Sequence, residues 1–195
     1  KLCDPICPYT PGKGHEFQLD FPKLMTRAQA IRTKERGIKF NDRFLANTDL
    51  AGKIGSLFGP LINFSNKIKI LRIFMEKLLG LHRYRILPKF QTNTFSKWFK
   101  THDSNISDPI DKVVIFGTCF TNAHNVALGK AAVEILEHNG VECIYPKQQC
   151  CGAPYLTPGD FKGFEKQARP NVDELNQWVK DGYKIVVTGP PTCSL

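Results

Sequence analysis

The chain has 195 residues, 42% of them hydrophobic, and 27 Lys and Arg against 18 Asp and Glu give it a net charge of +9. That length holds one large domain or two small ones with a sizeable core, and no apolar run in it is long enough to cross a membrane as a helix. The charge is lopsided, with 19 Lys and Arg against 7 Asp and Glu in residues 1–100 and 8 against 11 in the remainder. A basic half suits an acidic partner or an anionic membrane surface. No helix-turn-helix or RNA-binding signature accompanies it, so no nucleic-acid partner is expected.

The opening "KLCDPICPYTPGKGHEFQLDFP" is rich in Pro, Gly and Cys and is expected to be irregular. Asp20 is a suitable N-cap, Pro22 stands in the first turn, and Leu24, Ala28 and Ile31 recur at helical spacing as far as Gly37, which predicts a basic helix. A weaker helix is expected over 41–58, where Gly52, Gly55 and Gly59 interrupt the pattern ahead of Pro60. Leu61, Phe64, Ile68, Leu71, Met75 and Leu78 then form one apolar stripe, with Lys67, Lys69, Arg72 and Lys77 beside it. Such a helix packs on the chain's own core or a partner, or lies in a membrane surface. Residues 88–110 read as a linker.

Beyond it the pattern changes. "KVVIFGTCF" and "VECIYP" read as strands separated by the helix "NAHNVALGKAAVEILEHNG", and "GDFKGFEKQARPNVDELNQWVKDG" as a helix broken near Pro170 that leads to a third strand, "KIVVTGP". Strand, helix, strand, helix, strand predicts an α/β domain with a parallel sheet and right-handed crossovers.

Seven cysteines remain, at positions 3, 7, 119, 143, 150, 151 and 193. Their clustering, with none between Cys7 and Cys119, favours metal ligands in a reducing compartment over a disulfide scaffold. Cys150 and Cys151 are neighbours, a pair that a strand would point to opposite faces and that bonds to itself only with strain. The layout explains the pair. Cys119 follows the first strand, Cys150 and Cys151 the second and Cys193 the third, so four thiols reach the rim formed by the carboxyl ends of a parallel sheet. A turn through "CCGAP" directs both neighbours to that rim if Gly152 takes a positive φ and Pro154 stiffens the exit. A structural zinc site more commonly uses C-x2-C knuckles, whereas an iron–sulfur cluster can be gripped from several loops. Cys143, inside the second strand, is expected to be a buried apolar side chain. "CDPICP" matches the C-x3-C-P ending of the bacterial ferredoxin run, placing Cys3 and Cys7 as cluster ligands.

Cys119, thirty intervening residues, "CCGAP" and then "GPPTC" resemble the cysteine-rich CCG domain of heterodisulfide reductase B subunits, lactate-utilisation iron–sulfur proteins and the C subunit of anaerobic glycerol-3-phosphate dehydrogenase. The opening is similar to the end of the ferredoxin-type segment that precedes the domain in the last of these. The resemblance implies 4Fe-4S clusters, one held by Cys119, Cys150, Cys151 and Cys193 and others drawing on Cys3 and Cys7. It implies the tail of a ferredoxin-type segment (1–20), a basic helical region (21–87), the linker (88–110) and a first CCG domain of three α/β layers (111–195). Both ends look cut from a longer chain.

An electron-transfer subunit is therefore expected, relaying electrons from ferredoxin-type clusters to the CCG cluster and on to a quinone, a disulfide or a partner redox protein. Its place would be cytoplasmic, with a dehydrogenase subunit as partner and the basic helices against the inner face of the membrane. Thr118, Thr121 and Thr192 flank the ligands as caps or turn residues, and the amides near Gly152 and at the start of the helix after Cys119 are the expected sulfur donors. Two alternatives stay open. One is catalysis at the CCG cluster with His124 as a proton donor; the other is a structural zinc module that binds an acidic protein or membrane.

Overall fold

The protein was studied as a computed structural model, which describes residues 6–104, 106–190 and 193. At its centre lies β1 (Asp111–Gly117), whose Val113, Val114, Ile115 and Phe116 are all buried. Four consecutive buried apolar residues mark a strand covered on both faces. It pairs in parallel with β2 (Val141–Ile144), from Asp111 opposite Val141 to Val114 opposite Ile144. On its other side it pairs in parallel with β3 (Lys184–Thr188), from Val113 opposite Lys184 to Gly117 opposite Thr188. The order β2-β1-β3 confirms the expected parallel α/β sheet. Crossovers of this kind are right-handed, so the connection from β1 to β2 and the one from β2 to β3, which run in opposite directions across the sheet, carry their helices to opposite faces.

Short α7 (Cys119–Ala123) follows β1 directly, then α8 (Val126–His138) leads to β2. Single-turn α9 (Ala153–Leu156) and long α10 (Phe161–Lys180) connect β2 to β3. α10 runs through Pro170 without ending, where a break was expected. A proline removes one backbone bond and crowds the preceding turn, but flanking turns can hold the helix together across it.

The upstream half is helical: α1 (Phe21–Arg36), α2 (Phe40–Ala46), α3 (Thr48–Leu57), α4 (Gly59–Ser65) and α5 (Lys69–Leu79). Asp20 caps α1 as expected, its side chain accepting from the Lys23 amide at 3.0 Å. The weaker helix splits at Asn47, which ends α2 and whose side chain caps α3 by accepting from the Leu50 amide at 3.2 Å. The glycines that interrupt the sequence pattern supply a close-packing face. A Cβ at Gly52 would meet Ala123 at 3.6 Å, whereas one at Gly55 would lie 2.2 Å from the Phe90 ring. The long apolar stripe also divides, between α4 and α5, and stays open: Leu61 is 67% exposed and Ile70 76%. Arg72, expected among the surface cations, is only 5% exposed. It donates to the carbonyls of Arg83, His82 and Arg85 at 3.1, 3.1 and 2.6 Å and so ties down the chain after α5.

Within the stretch expected as a linker, α6 (Phe95–Thr101) forms, capped by Thr94. Phe95 is 0% exposed and sits in the core with Val113, Ile115, Val126, Val133 and Cys143, as Cys143 was expected to do. The approach depends on absent side chains: a Cβ at Gly129 would be 2.6 Å from the Phe95 ring.

Candidate metal centre

The carboxyl ends of β1 and β3 are laced together by threonines. The Thr118 amide donates to the Thr188 carbonyl at 3.2 Å, and the Thr121 hydroxyl to the same oxygen at 2.8 Å. Thr118 also caps α7 through the Thr121 amide, which is the capping role expected of it, while Thr192 lies outside the described residues. Cys119 is thereby fixed as the first residue of α7, at the carboxyl end of the central strand, where the sheet is crossed one way to β2 and the other way from β2 to β3. In open parallel sheets ligands bind at this reversal.

Cys150 is 2% exposed and lies with its Sγ 4.0 Å from that of Cys119. Two clamps hold its backbone. Its amide donates to both carboxylate oxygens of Asp49, at 3.0 and 2.9 Å, and its carbonyl accepts from Asn171 Nδ2 at 3.1 Å. Asn171 also pairs with both backbone groups of Gln149, accepting from the amide at 2.9 Å and donating to the carbonyl at 3.0 Å. Gly152 then takes φ +87°, as the adjacent cysteines require, and a Cβ there would lie 3.0 Å from Phe164. The turn aims two amides at sulfur, that of Gly152 at Cys150 and that of Ala153 at Cys151.

These contacts make the thiols one electrical unit. Side-chain coupling to Cys119, whose sulfur lies within hydrogen-bond reach, and then to Cys151 holds the Cys150 thiol far below its usual range, whereas the other two are pushed above theirs. Cys193 follows β3 and is near enough for its charge to act on Cys119 and Cys151. Ionising several such neighbouring thiols is opposed by their mutual repulsion, which a bound cation relieves. A donor set of cysteines served by backbone amides fits an iron–sulfur group. Among the described residues no group of three or more His, Cys, Asp or Glu gathers tightly enough to hold a single metal ion.

The remaining candidates lie elsewhere. Cys7 stands in the N-terminal turns, where the Thr10 hydroxyl donates to its carbonyl at 2.9 Å, and Cys3 lies outside the described residues. His124 ends α7 with its ring 4.5 Å from that of Phe90 and its Nδ1 3.1 Å from the Lys89 carbonyl, to which it donates. Burial lowers its pKa, and one nitrogen is already committed to the Lys89 carbonyl.

Sequence reasoning missed Thr48, Asp49 and Asn171. The signal for the first two was "NTD" at 47–49, a helix-start signature inside a stretch whose spacing predicts one helix. Thr48 Oγ1 is shielded from solvent without a hydrogen-bond partner and acts on the charge of both Cys119 and Cys150. Helix α1 reaches the rim as well, the Thr33 hydroxyl donating to the carbonyl of Pro158 just beyond α9.

A family model described as a cysteine-rich domain (CCG) matches residues 113–195. The C subunit of the anaerobic glycerol-3-phosphate dehydrogenase of Escherichia coli K12 is 30% identical over 152 residues, which is 77% of this chain and 38% of that protein. Lactate utilization protein A of Bacillus thuringiensis is 43% identical over 84 residues, 43% of this chain and 33% of the relative. An uncharacterised iron–sulfur protein of Methanococcus maripaludis is 29% identical over 110 residues, 56% of this chain and 22% of the relative. The chain therefore spans well under half the length of these relatives, and no solved structure matches it. The sheet rim with its converging thiols and the family match coincide: residues 113–195 are a cysteine-rich CCG domain.

Proposed function

We propose that the chain is part of an iron–sulfur electron-transfer subunit of an oxidoreductase. Cys119, Cys150, Cys151 and Cys193 would hold a 4Fe-4S cluster, and Cys3 and Cys7 would serve ferredoxin-type clusters. The observation that carries this reading is the 4.0 Å approach of the sulfurs of Cys119 and Cys150, which come from separate loops after different strands. Such a cluster, when bound, supplies one-electron chemistry to a quinone, a disulfide or a partner redox protein. The chain's own part is to hold the sulfurs, bury Cys150 and direct the Gly152 and Ala153 amides at them, interactions that set a potential.

Since one relative is named as a dehydrogenase subunit, a partner subunit is proposed here too. The open apolar face of Leu61, Phe64, Ile70 and Phe74, flanked by the exposed Lys67, Lys69 and Lys77, supports docking on that partner or against the inner face of the membrane, with a cytoplasmic setting. No described helix is long and apolar enough to cross a membrane.

The test is anaerobic purification of the full-length protein, with EPR after reduction and analysis of metal and acid-labile sulfide. An iron–sulfur signal that Cys150→Ser and Cys193→Ser diminish, and that Cys143→Ala leaves alone, is expected. A colourless protein with stoichiometric zinc and no sulfide overturns the reading in favour of a structural zinc module.

A further inference from the structure

Helix α3 lies upstream of the matched residues 113–195, yet its first turn enters the cysteine centre. It packs on α7, with Gly52 lying against Ala123. Two consecutive side chains then meet the site. Asp49 receives the Cys150 amide on both oxygens, at 3.0 and 2.9 Å. Thr48 Oγ1 is buried with no partner, although a hydroxyl shielded from water is costly to leave unpaired. It stands on the same first turn of α3 as Asp49, which meets Cys150, and no protein acceptor serves its hydroxyl. A metal-bound thiolate is an acceptor that would satisfy it. Asp49 works in the opposite sense, because it sets a carboxylate against the backbone of a residue whose sulfur is negative when bound to metal.

We propose that Thr48 and Asp49 are positioning residues of the cysteine centre, Thr48 donating its hydroxyl hydrogen to the sulfurs of Cys119 and Cys150 and Asp49 fixing the Cys150 backbone, so that the helical region tunes the potential of a cluster bound there. The proposal rests on the iron–sulfur reading above. A hydrogen bond to a ligand sulfur withdraws electron density and stabilises the reduced state, whereas a nearby carboxylate destabilises it. The two residues therefore pull the potential in opposite directions.

The experiment uses the full-length protein carrying Thr48→Val, Thr48→Ser or Asp49→Asn, with midpoint potentials from EPR-monitored redox titration and iron and sulfide quantified for each. Thr48→Val keeps the shape and loses the donor. It is expected to move the reduction equilibrium about tenfold toward the oxidised form, a negative shift of about 59 mV for one electron. Thr48→Ser keeps the hydroxyl and should hold the wild-type potential. Asp49→Asn keeps an acceptor for the Cys150 amide but removes the charge, so its potential should rise. Wild-type potentials in both Thr48→Val and Asp49→Asn overturn the proposal. If Thr48→Val fails to assemble, Asp49→Asn alone decides. A wild-type protein without any iron–sulfur signal would instead sink the iron–sulfur reading itself.

Discussion

Replacing Asn171 with Ala should loosen the turn that presents Cys150 without touching a sulfur ligand. Asn171 is 5% exposed, and its amide group satisfies the Gln149 amide, the Gln149 carbonyl and the Cys150 carbonyl at 2.9–3.1 Å. Truncation strands those three backbone groups in a buried place. At about 1–3 kcal/mol for each group that water cannot reach, and allowing for partial hydration of the relaxed loop, the loss is about 2–4 kcal/mol. Alanine returns about 0.5 kcal/mol through better helix propensity in α10, so the loss wins clearly. With a urea slope of about 2 kcal/mol per molar, the unfolding midpoint of the reduced protein should fall by about 1 M. Asn171→Asp should be worse at neutral pH, because a carboxylate would face the two carbonyls. Protonation restores a donor, so the folded-state pKa of the new carboxyl lies above its unfolded value and the variant should regain stability as pH falls through that raised pKa. Circular dichroism in urea at several pH values measures both effects. An Asn171→Ala midpoint within about 0.2 M of wild type would refute the claim that this side chain holds the turn.

Phe95→Ala should cost about 3–5 kcal/mol, since a fully buried ring leaves a cavity against β1 and α8, and a near-neutral effect in thermal unfolding would separate α6 from the core. Gly129→Ala sets helix propensity, worth about 1 kcal/mol in favour, against a Cβ 2.6 Å from Phe95 and 2.8 Å from Thr121; the clash should prevail, and a raised melting temperature would contradict the packing. For His124, burial places the folded-state pKa below the unfolded value of about 6.5, so its contribution is complete above about pH 6.5 and is lost as pH falls toward the folded pKa. His124→Gln should flatten that part of the stability–pH curve, and an unchanged slope would exonerate the histidine.

The sheet was legible because a buried central strand and its short parallel neighbours leave unbroken apolar runs, and Gly152 was legible because adjacent cysteines facing one rim require a turn that an L side chain rarely adopts. What the sequence hid were residues whose role depends on distant partners. Asp49 looks like any helix-start acid until Cys150 arrives from 101 positions away, and Phe95 sits among Thr, Ser and Lys with nothing local to show that glycines elsewhere make room for it. Asn171 follows Pro170, and a proline in a helical pattern reads as an end, so nothing local marks the buried amide just after it.

The charge pattern takes on a different sense at the site than along the chain. A centre ligated by several thiolates is negative, and the basic half of the molecule offers an obvious counter-charge, yet the groups at the sulfurs are dipoles: the Gly152 and Ala153 amides, with the buried hydroxyl of Thr48 proposed to join them. The charged group that the helical half brings to the site is Asp49, an acid, with Lys53 one turn behind it acting on its carboxyl rather than on a thiol. Arg72, buried in α5, spends its guanidinium on carbonyls of the following loop. Dipoles fixed by backbone geometry hold charge in place without adding a full positive charge that would drive the potential up. Exposed lysines such as Lys67, Lys69 and Lys77 act through solvent instead, so any attraction they exert would weaken as salt rises, whereas that of the fixed dipoles at the sulfurs would not.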